Sequence, residues 1–296
     1  MDRQVPLSSG ARADHLEEQG THEIAADLAY KRIVFVNVVL SGAPGAGDQR
    51  WVLVDTGLMG SAGPIARAAA ERFGEDARPA AIVLTHGHFD HAGAVEELAR
   101  RWNVPVYAHA LELPYLDGRA SYPPADPSVG GGLMSRLSPV LPSGPVNVKR
   151  WLHALPEDGS IPGMPGWRWL HTPGHTPGHV SFWRSRDRTL IVGDAFITTN
   201  MESAYAAVTQ RPEMHGPPQF ITQDWRQARG SVERLTILEP ELVVTGHGHA
   251  MRGPEMRAAL HALASGFDRV AVPAKGRYVR EPARVEEGTA YPPAKG

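Results

Sequence analysis

Four times in this chain an apolar run ends in one or more small residues and then in a side chain able to ligate a metal. The densest ending follows Ala80-Ala81-Ile82-Val83-Leu84 and reads Thr85-His86-Gly87-His88-Phe89-Asp90-His91. Trp167-Arg168-Trp169-Leu170-His171 leads through Thr172-Pro173-Gly174 to His175, Thr189-Leu190-Ile191-Val192-Gly193 leads to Asp194, and Leu242-Val243-Val244-Thr245-Gly246 leads to His247. Each run reads as a buried strand. Ligand types at the carboxyl ends of strands in one sheet system can meet in a crevice, where α/β proteins tend to place their sites. If the backbone stays extended past Leu84, His86, His88 and Asp90 point to one side and His91 points elsewhere. One group then serves one ion and the other a second, because a single tetrahedral ion cannot use four neighbouring groups and keep an open position.

The rest of the chain supplies strands and helices in alternation. Residues 1–22 read as a polar arm with a short helical turn at Asp14 to Gln19, and 23–296 as a single domain. Lys31 to Leu40 reads as one strand, neighbour to Trp51-Val52-Leu53-Val54-Asp55. Between them, Gly42 to Gly47 is a hairpin loop, since no Gly-Lys-Ser/Thr follows as a phosphate loop requires. Ser61 to Phe73 has Pro64 near its first turn and Gly74 past its end, as a helix does. A second helix, about Gly93 to Trp102, precedes the strand Val104 to Ala108, and further helices flank Leu242 to Thr245. Such alternation favours a layered α/β architecture. Residues 111–165, rich in Pro and Gly, are too long for an ordinary connection and read as a lid.

Composition removes several function classes. The 296 residues carry a formal charge of -2, which offers no long-range attraction to nucleic acid or an anionic membrane. The chain has no cysteine, so disulfides, zinc-thiolate sites and a cysteine nucleophile are out. No secretory leader and no apolar run of membrane-spanning length is seen. The expectation is a cytoplasmic protein with a small-molecule substrate, no nucleic-acid or membrane partner, and a sequence compatible with a homodimer.

Taken together, His86-x-His88-x-Asp90-His91, Thr172-Pro173-Gly174-His175-Thr176-Pro177-Gly178-His179, Gly193-Asp194 and Gly246-His247-Gly248 resemble the metallo-β-lactamase superfamily of hydrolases, in the family's order. The resemblance implies an α/β fold, the αββα four-layer sandwich, with a dinuclear site of two divalent ions, commonly zinc. Carried over by position, His86, His88 and His175 hold the first ion, Asp90, His91 and His247 the second, and Asp194 bridges them. Asp55 matches a position that supports the site without ligating. The donor mixture suits zinc and is also compatible with iron or manganese. Two such ions acidify a bridging water, so that hydroxide is the nucleophile and the leaving oxygen is stabilised. Asp90 can also pass a proton to the leaving group. His179 and His171 read as structural or supporting residues, and the Gly-His pattern favours His247 over His249.

Within the family, Asp194 in the bridging place looks like glyoxalase II, lactonases and phosphodiesterases. Ala195-Phe196-Ile197 departs from the quorum-quenching lactonases, which carry a Tyr three residues after that Asp. The expected substrates are small neutral esters or lactones. The alternatives are glutathione thioesters, phosphodiesters or phosphotriesters, and β-lactams. An electron-transfer di-iron protein of the same fold resembles His-x-Glu-x-Asp instead. Leu133, Met134 and Leu137, with Phe196, Met201, Met214 and Phe220, are expected to form an apolar pocket wall, although each aromatic or Met singly reads as core.

Overall fold

The computed structural model describes residues 4–14, 21–140, 142, 144 and 146–283. The turn expected at Asp14 to Gln19 falls, past Asp14, outside the described residues. Backbone packing divides the described residues into two compact units: those within 4–14, 123–142 and 170–283 form one, and those within 21–122 and 144–169 the other.

The unit that carries Thr85 to His91 is built on a seven-stranded sheet whose strands lie in chain order. Thr21–Ala25, Leu28–Ile33, Val36–Ser41 and Val52–Val54 are antiparallel neighbours; Val52–Val54, Ala81–Val83, Val106–Ala108 and Leu152–Ala154 are parallel. Parallel neighbours need crossovers, and the helices Ala62–Phe73 and Val95–Trp102 provide the first two. Both bury their apolar stripes in one core around Trp51, which stacks on Phe73 at 4.4 Å and meets Trp102 edge-on at 5.6 Å. The run Lys31 to Leu40, expected as one strand, is a hairpin with Ile33 opposite Val36. Its reversal uses Val34 at φ 61°, a conformation that β-branched residues rarely adopt. The unbroken apolar pattern hides that turn.

The other unit holds four strands of the five-stranded sheet, in the order Met251–Arg252, Leu242–Thr245, Thr189–Gly193, Val180–Arg184, and Leu170 and His171 of the fifth, Trp167–His171. Thr189–Gly193 and Leu242–Thr245 run parallel, with Gly193 opposite Thr245, so Asp194 and Gly246-His247 leave the sheet at the same end. The helices Trp225–Ile237, capped by the Asp224 side chain on the Gln227 N–H, and Gly253–Val270 share its apolar core. The segment 111–165 is not featureless: it contains short helices at Leu113–Leu116 and Leu133–Leu137 and the strand Leu152–Ala154. Among the described residues no helix is long and apolar enough to cross a membrane.

Candidate metal centre

Past Leu84 the chain does not stay extended. The N–H groups of His91 and Ala92 both donate to the His88 carbonyl, at 3.0 and 2.8 Å, which closes a turn over Phe89 and Asp90. The turn overrides the two-residue alternation. His91 therefore faces back toward His86, with ring centroids 4.2 Å apart, rather than pointing elsewhere. His88 meets His86 edge-on at 4.7 Å. Ligand atoms of His86 lie within 4.8 Å of those of both His88 and His91, and Asp90 and His91 are equally close. All four side chains are buried.

Hydrogen bonds settle which imidazole nitrogen carries the proton. His91 Nδ1 donates to Asp55 Oδ2 at 2.8 Å, leaving the lone pair on Nε2. Thr85 Oγ1 donates to the same Asp55 oxygen at 2.8 Å and so accepts from His86 Nδ1 at 3.0 Å, which puts that lone pair on Nε2 too. Asp55 Oδ1 accepts the Thr85 N–H at 2.8 Å. One carboxylate thus orients two histidines, a recurrent arrangement behind metal ligands. Gly87 is clamped from below: its N–H points to Glu112 Oε2 and to Tyr122 Oη, each at 2.9 Å, and the phenol donates to Glu112. A Cβ at Gly87 would lie 2.6 Å from that phenol oxygen, so any larger residue must displace the phenol from its place. Burial, and then the Glu112 carboxylate, push the Tyr122 phenol well above its ordinary range, which keeps it a donor. The Tyr122 ring lies 4.5 Å from that of His88.

In the other unit Asp194 Oδ2 faces His175 Nε2 at 3.5 Å and His247 Nε2 at 3.2 Å. Thr222 Oγ1 gives its proton to the Pro218 carbonyl at 2.7 Å and therefore accepts from His175 Nδ1 at 3.2 Å, so His175 also carries its lone pair on Nε2. His179 serves Asp194 differently. The Asp194 N–H donates to His179 Nε2 at 2.8 Å, which leaves the proton on Nδ1, facing Thr172 Oγ1 at 2.9 Å and the Thr172 carbonyl at 3.1 Å. Thr172 Oγ1 lies 3.0 Å from Ser181 Oγ, and Ser181 Oγ donates to the Val192 carbonyl at 2.7 Å. The hydrogen bonds form a ring that returns to the strand Asp194 left. With both nitrogens engaged, His179 positions Asp194 and is not a ligand. His179→Leu is expected to weaken metal binding about 10- to 100-fold by chelator competition, with His179→Gln, which offers an oxygen acceptor, recovering part of it. Wild-type affinity in the leucine variant would refute the role.

The donor set fits divalent metal: buried imidazoles with defined lone pairs, plus carboxylates. His249 is held elsewhere, its Nδ1 on Asp14 Oδ2 at 2.9 Å, and His109 accepts the Leu111 N–H as a cap. Among the described residues, the expected apolar wall is in part drawn into the core. Phe196 and Met214 belong to the sheet-helix core, Leu133 and Leu137 are exposed, and the Met134 side chain lies outside what is described. Met201 and Phe220 are buried as well. Sequence reasoning missed Glu112 and Tyr122; a charge inside the apolar run Ala110-Leu111-Glu112-Leu113 is the one signal that could have flagged them. It also missed the buried pair of Glu202 and His215, 3.1 Å apart, in which burial opposes both charges while each partner sustains the other.

Comparison with known proteins agrees. Residues 33–247 match the family described as the Metallo-beta-lactamase superfamily. The probable metallo-hydrolase YflN of Bacillus subtilis (strain 168) is 42% identical over 265 residues, which cover 89% of this chain and 97% of that protein. The hydroxyacylglutathione hydrolase GloC of Haemophilus influenzae is 25% identical, over 60% of this chain and 73% of its own. Among solved structures, metallo-beta-lactamase SMB-1 bound to 2-mercaptoethanesulfonate superposes with a TM-score of 0.57 at 20% identity, covering 84% of this chain and 93% of that one. This chain belongs to the metallo-β-lactamase superfamily and has its α/β fold. It is a metal-dependent hydrolase, and its buried histidines and aspartates are suited to a pair of divalent ions.

Proposed function

We propose that the two ligand sets hold one pair of divalent ions, zinc foremost, and that the enzyme hydrolyses small uncharged esters or lactones. His86, His88 and His175 would hold one ion, Asp90, His91 and His247 the other, with Asp194 shared. Bound there, the ions would supply an acidified water and polarise the scissile carbonyl. Asp90 is the group to move a proton to the leaving oxygen. Asp55, through Thr85 and His91, keeps the imidazoles in the tautomer that ligation needs.

The observation that supports the substrate reading is the engagement of three cations in the Asp194 unit, Arg211, Arg229 and Arg277. Arg211 lies 3.7 Å from Glu213, and Arg229 pairs with Glu233 and Asp268, each at 2.8 Å. The Arg277 guanidinium donates to the Pro124 carbonyl at 3.3 Å, and its backbone N–H donates to Asp126. A polyanionic nucleotide, or the carboxylates of a glutathione conjugate, would need such groups unspent. The similarity to GloC supports a thioester as the second reading. Specificity constants for a simple lactone, an aryl ester, a glutathione thioester and a nucleotide phosphodiester on one zinc-loaded preparation test the choice. The neutral acyl substrates are expected to lead by at least about tenfold, a margin of roughly 1.4 kcal/mol in transition-state binding. Preference for the glutathione conjugate or the nucleotide would reject the substrate class and leave the metal centre standing.

A further inference from the structure

The described residues 4–14 precede the stretch matched by the family, yet they close on the loop that carries His247. Asp14 is buried, and both its oxygens are used: Oδ1 accepts from Arg12 Nε and Oδ2 pairs with His249 Nδ1, each at 2.9 Å. Beside this pair the Ala13 N–H donates to the Ala250 carbonyl at 2.8 Å, and Arg12 bridges Met251 in antiparallel fashion. Thr198 also holds the loop. Its N–H donates to the His247 carbonyl at 3.1 Å and its hydroxyl to the His249 carbonyl at 2.7 Å. Gly248 has φ +99°, and a Cβ there would lie 2.3 Å from Thr198 Oγ1, so the loop has no slack on that side.

We propose that Asp14, acting through His249, is a positioning residue for His247, and that the N-terminal arm thereby sets the affinity of the ion that His247 holds. This rests on the metal reading above. The arm does not depend on Asp14 for its own docking. Leu7 and Ala11 lie in the apolar core, Ser8 donates twice to Glu255, at 2.6 and 2.7 Å, and Gln4 accepts the Gly216 N–H at 2.9 Å. A change at Asp14 therefore frees the His249 side chain from its partner and leaves the arm in place. Asp14 and His249 both fall outside residues 33–247, so the device is an addition to what the family match covers.

The test is zinc release to a chromophoric chelator, with stoichiometry by elemental analysis and thermal unfolding of the metal-free proteins. Wild type is compared with Asp14→Ala, Asp14→Asn, His249→Ala, the Asp14→Ala/His249→Ala double variant and, as a control on the same arm, Ser8→Ala. Asp14→Ala and His249→Ala are each expected to give up one of two zinc ions about tenfold more readily while retaining the other. The double variant should be no worse than either single, because the residues act as one unit. Asp14→Asn, which keeps shape and an acceptor, should fall between, and Ser8→Ala should match wild type. Unchanged zinc release in both Asp14 variants, with only their thermal stability lowered, would overturn the proposal, as would additive losses in the double variant. A wild type that binds no zinc pair would instead defeat the metal reading and this proposal with it.

Discussion

Asp194→Ala is expected to leave a folded protein that holds at most one metal ion per chain and has lost hydrolysis. Its Oδ2 faces both His175 and His247, so a single truncation removes the donor that the two ions would share. If the ions supply several kcal/mol to the reaction, losing the shared site costs on the order of a thousandfold or more in kcat/KM, at about 1.4 kcal/mol per power of ten. Folding should survive. In the metal-free protein the change deletes a buried charge, and removing such a charge spares its desolvation cost. Elemental analysis beside circular dichroism checks both halves. Two tightly held ions in the alanine variant would show that the carboxylate is not shared.

Asp55→Ala is expected to give the largest loss of stability. The residue sits at φ 59° and accepts from the Thr85 N–H, the Thr85 hydroxyl and His91 Nδ1, all at 2.8 Å. Truncation strands those donors in the interior, where each costs about 1–3 kcal/mol, and alanine keeps the unfavourable left-handed backbone. The sum is about 3 kcal/mol or more, measurable by denaturant unfolding of the metal-free protein. Asp55→Asn, which retains acceptor capacity, should lose less. A loss in Asp55→Ala below about 1 kcal/mol, the worth of one ordinary hydrogen bond, would mean that the network does not hold the loop. Metal affinity should fall with it, because His86 and His91 lose the partner that fixes their tautomers.

The candidate ligands were legible because a strand, a small residue and a donor type recur along the chain, a local pattern that needs no knowledge of the fold. The fold class was legible from the same runs and from helices marked by Pro64 and Gly74. Two local readings failed where backbone geometry broke a smooth apolar or alternating pattern: at Val34, and at the turn over Phe89 and Asp90. Asp14 and His249 are 235 positions apart, and Gly87 and Tyr122 are 35 apart. Such pairs leave no periodic trace, since each partner alone resembles an ordinary polar surface residue. Two residues expected in the apolar wall were misplaced for a different reason. Phe196 and Met214 have the composition of a pocket lining, but the sheet and its helices had first use of them.

The closed ring through His179, Thr172 and Ser181 has a consequence for how the protein acquires its ions. Every member is a side chain or backbone group of one unit, so the backbone from which the Asp194 side chain departs is set when the chain folds. The entropy of ordering that stretch of backbone is spent before any ion arrives, and affinity is not drained to organise the turn that carries the ligand. A rigid imidazole and carboxylate frame built in advance accepts several divalent ions of similar size, because intrinsic affinity alone separates neighbouring metals poorly. Which metal occupies the enzyme then follows from cellular supply as much as from the protein, and one polypeptide grown on different media would be recovered as different metalloforms.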